Sequence, residues 1–286
     1  MKAVVTGGSG YLGKHVAGYF GADDFSRRSG RDILNGHDVA EIGDYDLVIH
    51  LAARLDKNPD AAEEVFLTNV EGTINVLKNV REGAAFVFAS TKDVYGRFAA
   101  NYVEVPEGCQ TVYSGQSALE WSKLIAEHYV EYYAHSNRFR SAIFRLSTVY
   151  APPSEGNTPS FVGAFADAIN MGEPLRLPGG GRPVRDLMHV DDLSSACQAF
   201  ADSVIRHGTY NIGGGRANAL TLHEIVRKLG EVSGLEAVVD EGNPLPDPFP
   251  LNYVSDLGRV DQELGWRPRV GVDEGLKTLF GAIHAE

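Results

Sequence analysis

The first half of the chain alternates short apolar runs with stretches of helical spacing. Ala3–Val5, Asp46–Leu51, Ala85–Ala89 and Ser141–Leu146 are compact apolar runs of strand length. Between them lie segments with the period of a helix: Tyr11–Phe20, Ala61–Val80 and Leu119–Tyr133. Within the second of these, Val65, Val70, Ile74 and Leu77 fall on one face. Strands alternating with helices predict βαβ units, a parallel sheet and right-handed crossovers, hence an α/β fold.

After Tyr150 the pattern changes. Pro152, Pro153, Gly156 and Pro159 mark a loop, and a helix is expected over Phe161–Asn170. The Gly- and Pro-rich Pro178–Pro183 follows. Then come a helix over Asp191–Phe200, a strand over Gly208–Ile212, and helices near Leu222–Leu229 and Val272–Phe280. The second half reads as a smaller mixed α/β substrate domain. The expected division is residues 1–155 plus about 188–212 for the larger domain, and about 156–187 plus 213–286 for the smaller.

The most specific local pattern is Thr6–Gly13 (TGGSGYLG), placed between the first strand and the first helix. A tight turn favours a residue without Cβ, here Gly7. Close approach of a pyrophosphate to backbone asks for Gly10, and helix–sheet contact asks for Gly13. Tyr11, Leu12 and Gly13 open a helix whose N-terminus suits phosphate. This context predicts a Rossmann-type, doubly wound dinucleotide site. Enzymes that take NAD place an acid about 20 residues beyond the turn, for the ribose hydroxyls. Here that region reads Phe25-Ser26-Arg27-Arg28, with Asp23 and Asp24 slightly early. Arginines suit a 2′-phosphate, so NADP is favoured over NAD, with two solvated surface arginines as the competing reading.

Composition narrows the class. The net charge of -12 argues against nucleic acid as a partner, since phosphate backbones need clustered Lys and Arg. Cys109 and Cys197 sit in no metal-ligand spacing, so no metal is expected, and two thiols suit a reducing compartment. No signal-peptide pattern precedes the first strand, and no apolar run reaches the roughly 18 residues of a membrane span. A cytoplasmic enzyme is expected.

Several further segments, taken together and in order, carry a resemblance. They are His50–Ala53 (HLAA), Asn69–Leu77 (NVEGTINVL), Ser90–Gly96 (STKDVYG), Ser122–Glu127 (SKLIAE), Arg145–Tyr150 (RLSTVY), Arg185–Asp192 (RDLMHVDD), Tyr210–Gly213 (YNIG) and Leu264–Pro268 (LGWRP). With the glycine turn, they make the chain resemble the extended short-chain dehydrogenase/reductases of the NAD-dependent epimerase/dehydratase family over almost its whole length. The resemblance implies hydride transfer between a nucleotide sugar and the nicotinamide, through a keto intermediate. It implies Thr91 as the hydroxyl that hydrogen-bonds the reacting oxygen and Lys123 as the lysine that holds the nicotinamide ribose. It places Leu51, Ala52, Ala53 and Asn69 near the cofactor, and Thr91, Asp93, Thr148 and Arg185 near the substrate. It also implies a homodimer joined by a four-helix bundle, built from the helices over Ala61–Val80 and Leu119–Tyr133.

The chain departs from the family at a decisive place. The family's tyrosine acid/base stands four residues before the lysine, where this chain has Leu119. No lysine here has a tyrosine four residues earlier. Tyr113, Glu120 and Asp93 are the candidates for a replacement. Phe249–Asp256 holds none of the arginine that family members often carry just before the aspartate, and Thr148 stands where asparagine is common. Three readings stay open: a nucleotide-sugar enzyme, an enzyme of another small carbonyl or hydroxyl compound, and a cofactor-binding protein with little turnover.

Overall fold

The computed structural model describes residues 1–243 and 250–281. The chain opens with β1 (Ala3–Thr6), α1 (Gly13–Phe20), β2 (Asp23–Phe25) and β3 (Leu47–His50). Two helical pieces follow, α2 (Ala62–Phe66) and α3 (Gly72–Asn79), joined by a π turn at Leu67–Glu71. The single helix expected over Ala61–Val80 is therefore interrupted, as helices often are near functional sites. Next come β4 (Ala85–Thr91), α4 (Ala118–Asn137), β5 (Arg140–Leu146) and β6 (Thr148–Tyr150). The remainder is α5 (Phe161–Met171), β7 (Leu175–Pro178), β8 (Val184–His189), α6 (Val190–Asp202), β9 (His207–Ile212), β10 (Ala219–Thr221) and α7 (Leu222–Ser233). It ends with β11 (Val239–Asn243), β12 (Asn252–Tyr253), α8 (Gly258–Leu264) and α9 (Val272–Lys277).

The main sheet has six parallel strands in the order β2-β1-β3-β4-β5-β9. Successive residues of each strand face opposite sides, so a parallel sheet covered on both faces needs nearly continuous apolar runs. Val5, Ile49 and Val87 join one core with α1 and α6, through Val16, Leu193 and Phe200. Their neighbours Val4, Val48 and Phe86 join the opposite core, with Val76 and Leu77 of α3 and Ala126 and Val130 of α4. Each fully buried side chain of this size contributes about 1.5–3 kcal/mol over the exposed state. The strand order reverses between β1 and β3, and the carboxyl ends of strands at such a point form a crevice. Arg27–Ser29 and Asp38–Asp44 form short 3-10 segments, and among the described residues no strand pairs beyond β2.

A separate apolar core lies in the second half, where Tyr150, Val162, Leu187, Ile225, Leu229 and Leu276 pack together. Around it β10, β8 and β12 form a small sheet, with β6 also pairing β8 in parallel. The strands β6, β8, β10 and β12, and the helix α8, are not predicted by the hydrophobic pattern. The strands among them pair with partners distant in sequence. No described helix is long and apolar enough to cross a membrane.

Candidate active site

The glycine turn leaves β1 at Gly7, whose N–H donates to Phe25 O at 2.9 Å. Gly7 has φ +71°, and a Cβ there would stand 2.9 Å from the Ala52 backbone. A Cβ on Gly13 would fall 2.0 Å from Gly7 O. Only glycines let β1, the β3 end and α1 meet this closely. No side chain caps α1. Beneath the turn, Thr6 Oγ1 meets His50 Nδ1 at 2.7 Å, and His50 Nε2 meets Thr73 Oγ1 at 2.9 Å. Burial, helped by the nearby Lys123 charge, pushes His50 down to about 3, so it stays neutral and ties β1 to β3 and α3.

A cleft of about 610 Å³ runs from this turn across the sheet. Gly7, Gly10, Tyr11, Leu12 and Gly13 line one end of it, and Leu51, Ala52 and Ala53 line its middle. Thr91, Leu119 and Lys123 line the other end. β4 continues through Thr91, two residues beyond the predicted end of the strand. Its hydroxyl also accepts from Asp93 N–H at 3.2 Å, capping the next turn. α4 begins with a reciprocal capping box between Ser117 and Glu120, which sets the helix start and the facing of the residues after it. Leu119 and Lys123 are one turn apart and both buried. Lys123 Nζ donates to Ala89 O at 2.8 Å and sits 4.7 Å from the Phe88 ring centre. Burial outweighs attraction to Glu127 and lowers Lys123 to about 8.

A second cavity of about 330 Å³ adjoins the first, sharing Thr91, Leu146, Ser147, Val149 and Ser160 with it. Asp93, Thr148 and Arg185 line it, with Lys92. Arg185 Nη1 donates to Val184 O at 2.7 Å and Leu251 O at 2.9 Å. Asp93 pairs with Lys92 and, at 3.8 Å, with Lys57. Burial would raise the Asp93 carboxyl, but Lys92 and Lys57 together hold it below its ordinary value. Lys57 also pairs with Glu120 at 2.7 Å.

At the opposite end of the cleft, Ser26, Arg27, Arg28, Arg31 and Asp32 form the wall. Arg28 donates to Gly156 O at 2.6 Å, Ser9 O at 3.2 Å and Asn157 Oδ1 at 3.1 Å. It pins the loop after β6 against the glycine turn. Asp24 is not on the cleft wall, and its Oδ2 accepts from Ser26 Oγ at 2.9 Å. A long cleft with a glycine cradle at one end and a buried lysine at the other fits a dinucleotide.

Residues 3–213 match the model of the NAD dependent epimerase/dehydratase family. The chain belongs to this family. It is 25% identical to the CDP-paratose 2-epimerase of Salmonella typhi, covering 98% of each chain. Its fold is similar to that of MoeE5 in complex with UDP-glucuronic acid and NAD, with TM-score 0.83 and 25% identity over 97% of each chain. It is also similar to the UDP-glucose 4-epimerase of Thermus thermophilus in complex with NAD, with TM-score 0.77 and 25% identity over 100% of this chain and 99% of that one.

Other residues of the segments that carry the family resemblance form buried hydrogen-bond networks. Ser90 Oγ donates to Glu127 Oε1, and Glu127 pairs with Arg145 at 2.7 Å. Arg145 Nη1 also donates to Tyr95 OH at 3.2 Å, and Tyr95 donates to Asn211 Oδ1 at 2.6 Å. Thus β4, α4, β5 and β9 are locked by one buried polar chain. Asp192 similarly accepts from the Arg269 and Val270 N–H groups, and Trp266 donates to Ser195 Oγ at 2.9 Å.

Asn69, expected near the cofactor, does not itself line the cleft. It is buried, accepts from Arg54 N–H at 2.8 Å and donates to Ser122 Oγ at 3.0 Å, so it joins the loop after β3 to α4. Thr68, its neighbour on the π turn, lines the cleft instead. Of the candidates for a replacement acid/base, Tyr113 is exposed and packs edge-on against Trp121, away from both cavities. Glu120 is buried as a cap and ion-pair partner, and only Asp93 reaches a cavity wall. The sequence reading missed Ser26, Arg31, Asp32, Ser147 and Asn157. Arg31 and Asp32 follow the two arginines after Ser29 and Gly30 and were within reach of the cofactor argument. Ser147 and Asn157 carry no local signal. Of the stretch Phe249–Asp256, Phe249 lies outside the described residues; Leu251 meets Arg185 through its backbone.

Proposed function

We propose that the chain binds a nicotinamide dinucleotide along the cleft and acts on a nucleotide sugar held in the adjoining cavity. The observation that carries this reading is the continuity of the two cavities at Thr91, between the Lys123 end of the cleft and Arg185. Gly7, Gly10 and Gly13 cradle the pyrophosphate, Leu51, Ala52 and Ala53 flank it, and Lys123 holds the nicotinamide ribose. When bound, the nicotinamide supplies the site that accepts and returns a hydride. Thr91 orients the reacting hydroxyl, and Arg185 takes the negative charge of the substrate diphosphate. Leu119 stands where family members place their acid/base tyrosine. The relatives' substrates, CDP- and UDP-linked sugars, support the nucleotide-sugar class.

NADP is the cofactor the arginine cluster favours. Arg27, Arg28 and Arg31 line the end of the cleft, whereas Asp24 accepts from Ser26 Oγ and does not line it. Residues 1–155 with about 188–212 form the dinucleotide-binding part, and the rest of the chain forms the substrate part. Two chains pair through α2, α3 and α4, where Leu67 of the π turn and Tyr129 and Tyr132 of α4 are exposed. Two free, buried cysteines suit a reducing, cytoplasmic setting.

The test is calorimetry with NAD and NADP, followed by incubation with UDP-glucose and UDP-glucuronic acid and chromatography of the products. Cofactor binding with conversion of either sugar nucleotide supports the reading. Tight cofactor binding without conversion, in this chain and in Leu119→Tyr, replaces it with a non-catalytic cofactor-binding role.

A further inference from the structure

We propose that Lys123 itself carries the proton to and from the substrate hydroxyl in this chain, in place of the missing phenol. The inference rests on the function proposed above. It starts from the titratable groups around Thr91. Asp93 is tied to Lys92 and Lys57, whose charges keep it ionised and make it a weak base. Lys92 is held in the same pair, and Arg185 keeps its proton at any neutral pH. Leu119 has no proton to move.

Lys123 differs from all of these. It is part of the cleft wall, and the hydrogen bond of its Nζ to Ala89 O occupies one of three donor positions. The groups that face it come from two elements besides its own. Phe88 and Ala89 of β4 offer a ring face and a carbonyl. His50 of β3 is neutral. On its own helix Leu119 is apolar, and Glu127 is engaged by Arg145 of β5 and by Ser90. Little remains to hold the ammonium form, and Lys123 is lowered to about 8, near the working range of a general base.

The step balances with an oxidised nicotinamide dinucleotide as co-reactant. The hydroxyl proton of the sugar passes to the lone pair of neutral Lys123 Nζ. The electrons of that O–H bond become the second bond of the new carbonyl. The C–H bond on the same carbon breaks, and its electron pair leaves with the hydrogen to the co-reactant. On return of the hydride, the Lys123 ammonium gives its proton back to the oxygen.

The first experiment needs no turnover. The full chain without cofactor is acylated competitively with a small amine reagent from about pH 6 to about pH 11, and Lys123 is read by peptide mass spectrometry. A titration midpoint near 8 is expected; a midpoint with the exposed lysines, at about 10.4, overturns the proposal. The second compares the chain with Lys123→Arg, Leu119→Tyr and the double variant, at saturating cofactor, on UDP-glucose and UDP-glucuronic acid. Melting midpoint and cofactor affinity serve as controls for folding. Lys123→Arg keeps the charge but cannot release a proton, so kcat should fall by roughly 10²–10⁴ and recover when Leu119→Tyr is added. Activity retained in Lys123→Arg, or a loss that Leu119→Tyr does not repair, overturns the role of Lys123 and leaves the enzyme reading intact. So does an inactive parent chain beside an active Leu119→Tyr. Inactivity of all four with cofactor bound overturns the enzyme reading itself.

Discussion

Leu119 and Lys123 stand one helical turn apart on α4, and both form part of the wall of the same cleft beside Thr91. An apolar side chain therefore borders the place where a proton must move. Leu119→Tyr introduces a phenol beside a buried amine, which lowers the phenol's pKa. Turnover of a nucleotide sugar that binds should rise about tenfold, less than the roughly 10²- to 10⁴-fold worth of positioned proton transfer, because Lys123 already moves the proton in the parent chain. Steady-state kinetics on both chains decides it; a slower Leu119→Tyr means the added ring blocks the substrate.

Gly10 sets the second prediction. A Cβ at this position would stand 3.0 Å from Gly7 O, and a valine would add methyl groups beside the cradle. Gly10→Val should abolish NAD and NADP binding in calorimetry while the chain still melts cooperatively. Unchanged affinity would remove the glycine turn from the cofactor site.

The two arginines after β2 should separate on mutation. Arg28 is spent on Gly156 O, Ser9 O and Asn157, so Arg28→Ala should loosen the loop after β6 and weaken NAD and NADP alike. Arg27→Ala should weaken NADP more than NAD, because only NADP carries the 2′-phosphate. Equal loss of both cofactors in Arg27→Ala would make NAD the better assignment.

The Arg145–Glu127 pair is buried on both sides. Removing one partner strands the other charge, at a cost of about 3–5 kcal/mol. Glu127→Ala should show a loss of that size in urea unfolding. A loss below about 1 kcal/mol would mean that water reaches Arg145 once the carboxylate is gone.

Lys123 should cost the ligand-free chain stability. Its value falls from 10.5 in the unfolded chain to about 8 in the fold. Between those values the unfolded chain binds more protons, so this contribution to stability rises with pH over that window. At neutral pH the folded chain bears a buried charge, a penalty of at most roughly 3 kcal/mol, offset by about 1 kcal/mol for the bond to Ala89 O. Lys123→Met should therefore raise stability by about 1–2 kcal/mol at pH 7, and the gap should close towards pH 10. A destabilised Lys123→Met at pH 7 would show that the burial is fully compensated.

The sequence by itself determined the parallel sheet, because strands covered on both faces must be apolar throughout, and helices between them keep a 3.6-residue period. Ala3–Val5, Asp46–Leu51, Ala85–Ala89 and Ser141–Leu146 could be read as strands for that reason, and all lie in the main sheet. The glycine turn was equally legible, since its demands are local: a positive φ at Gly7 and close contact at Gly13. Only the tertiary structure decided which polar residues face the cleft. Asn69 and Thr68 are adjacent in sequence, yet the π turn sends one into the interior and the other to the cavity. Arg28 finds its partners 128 and 129 residues away, and Glu127 finds Arg145 across a strand. Hydrophobic period reports burial along one element; hydrogen-bond partners and proton affinities depend on what the other elements bring to the same point in space.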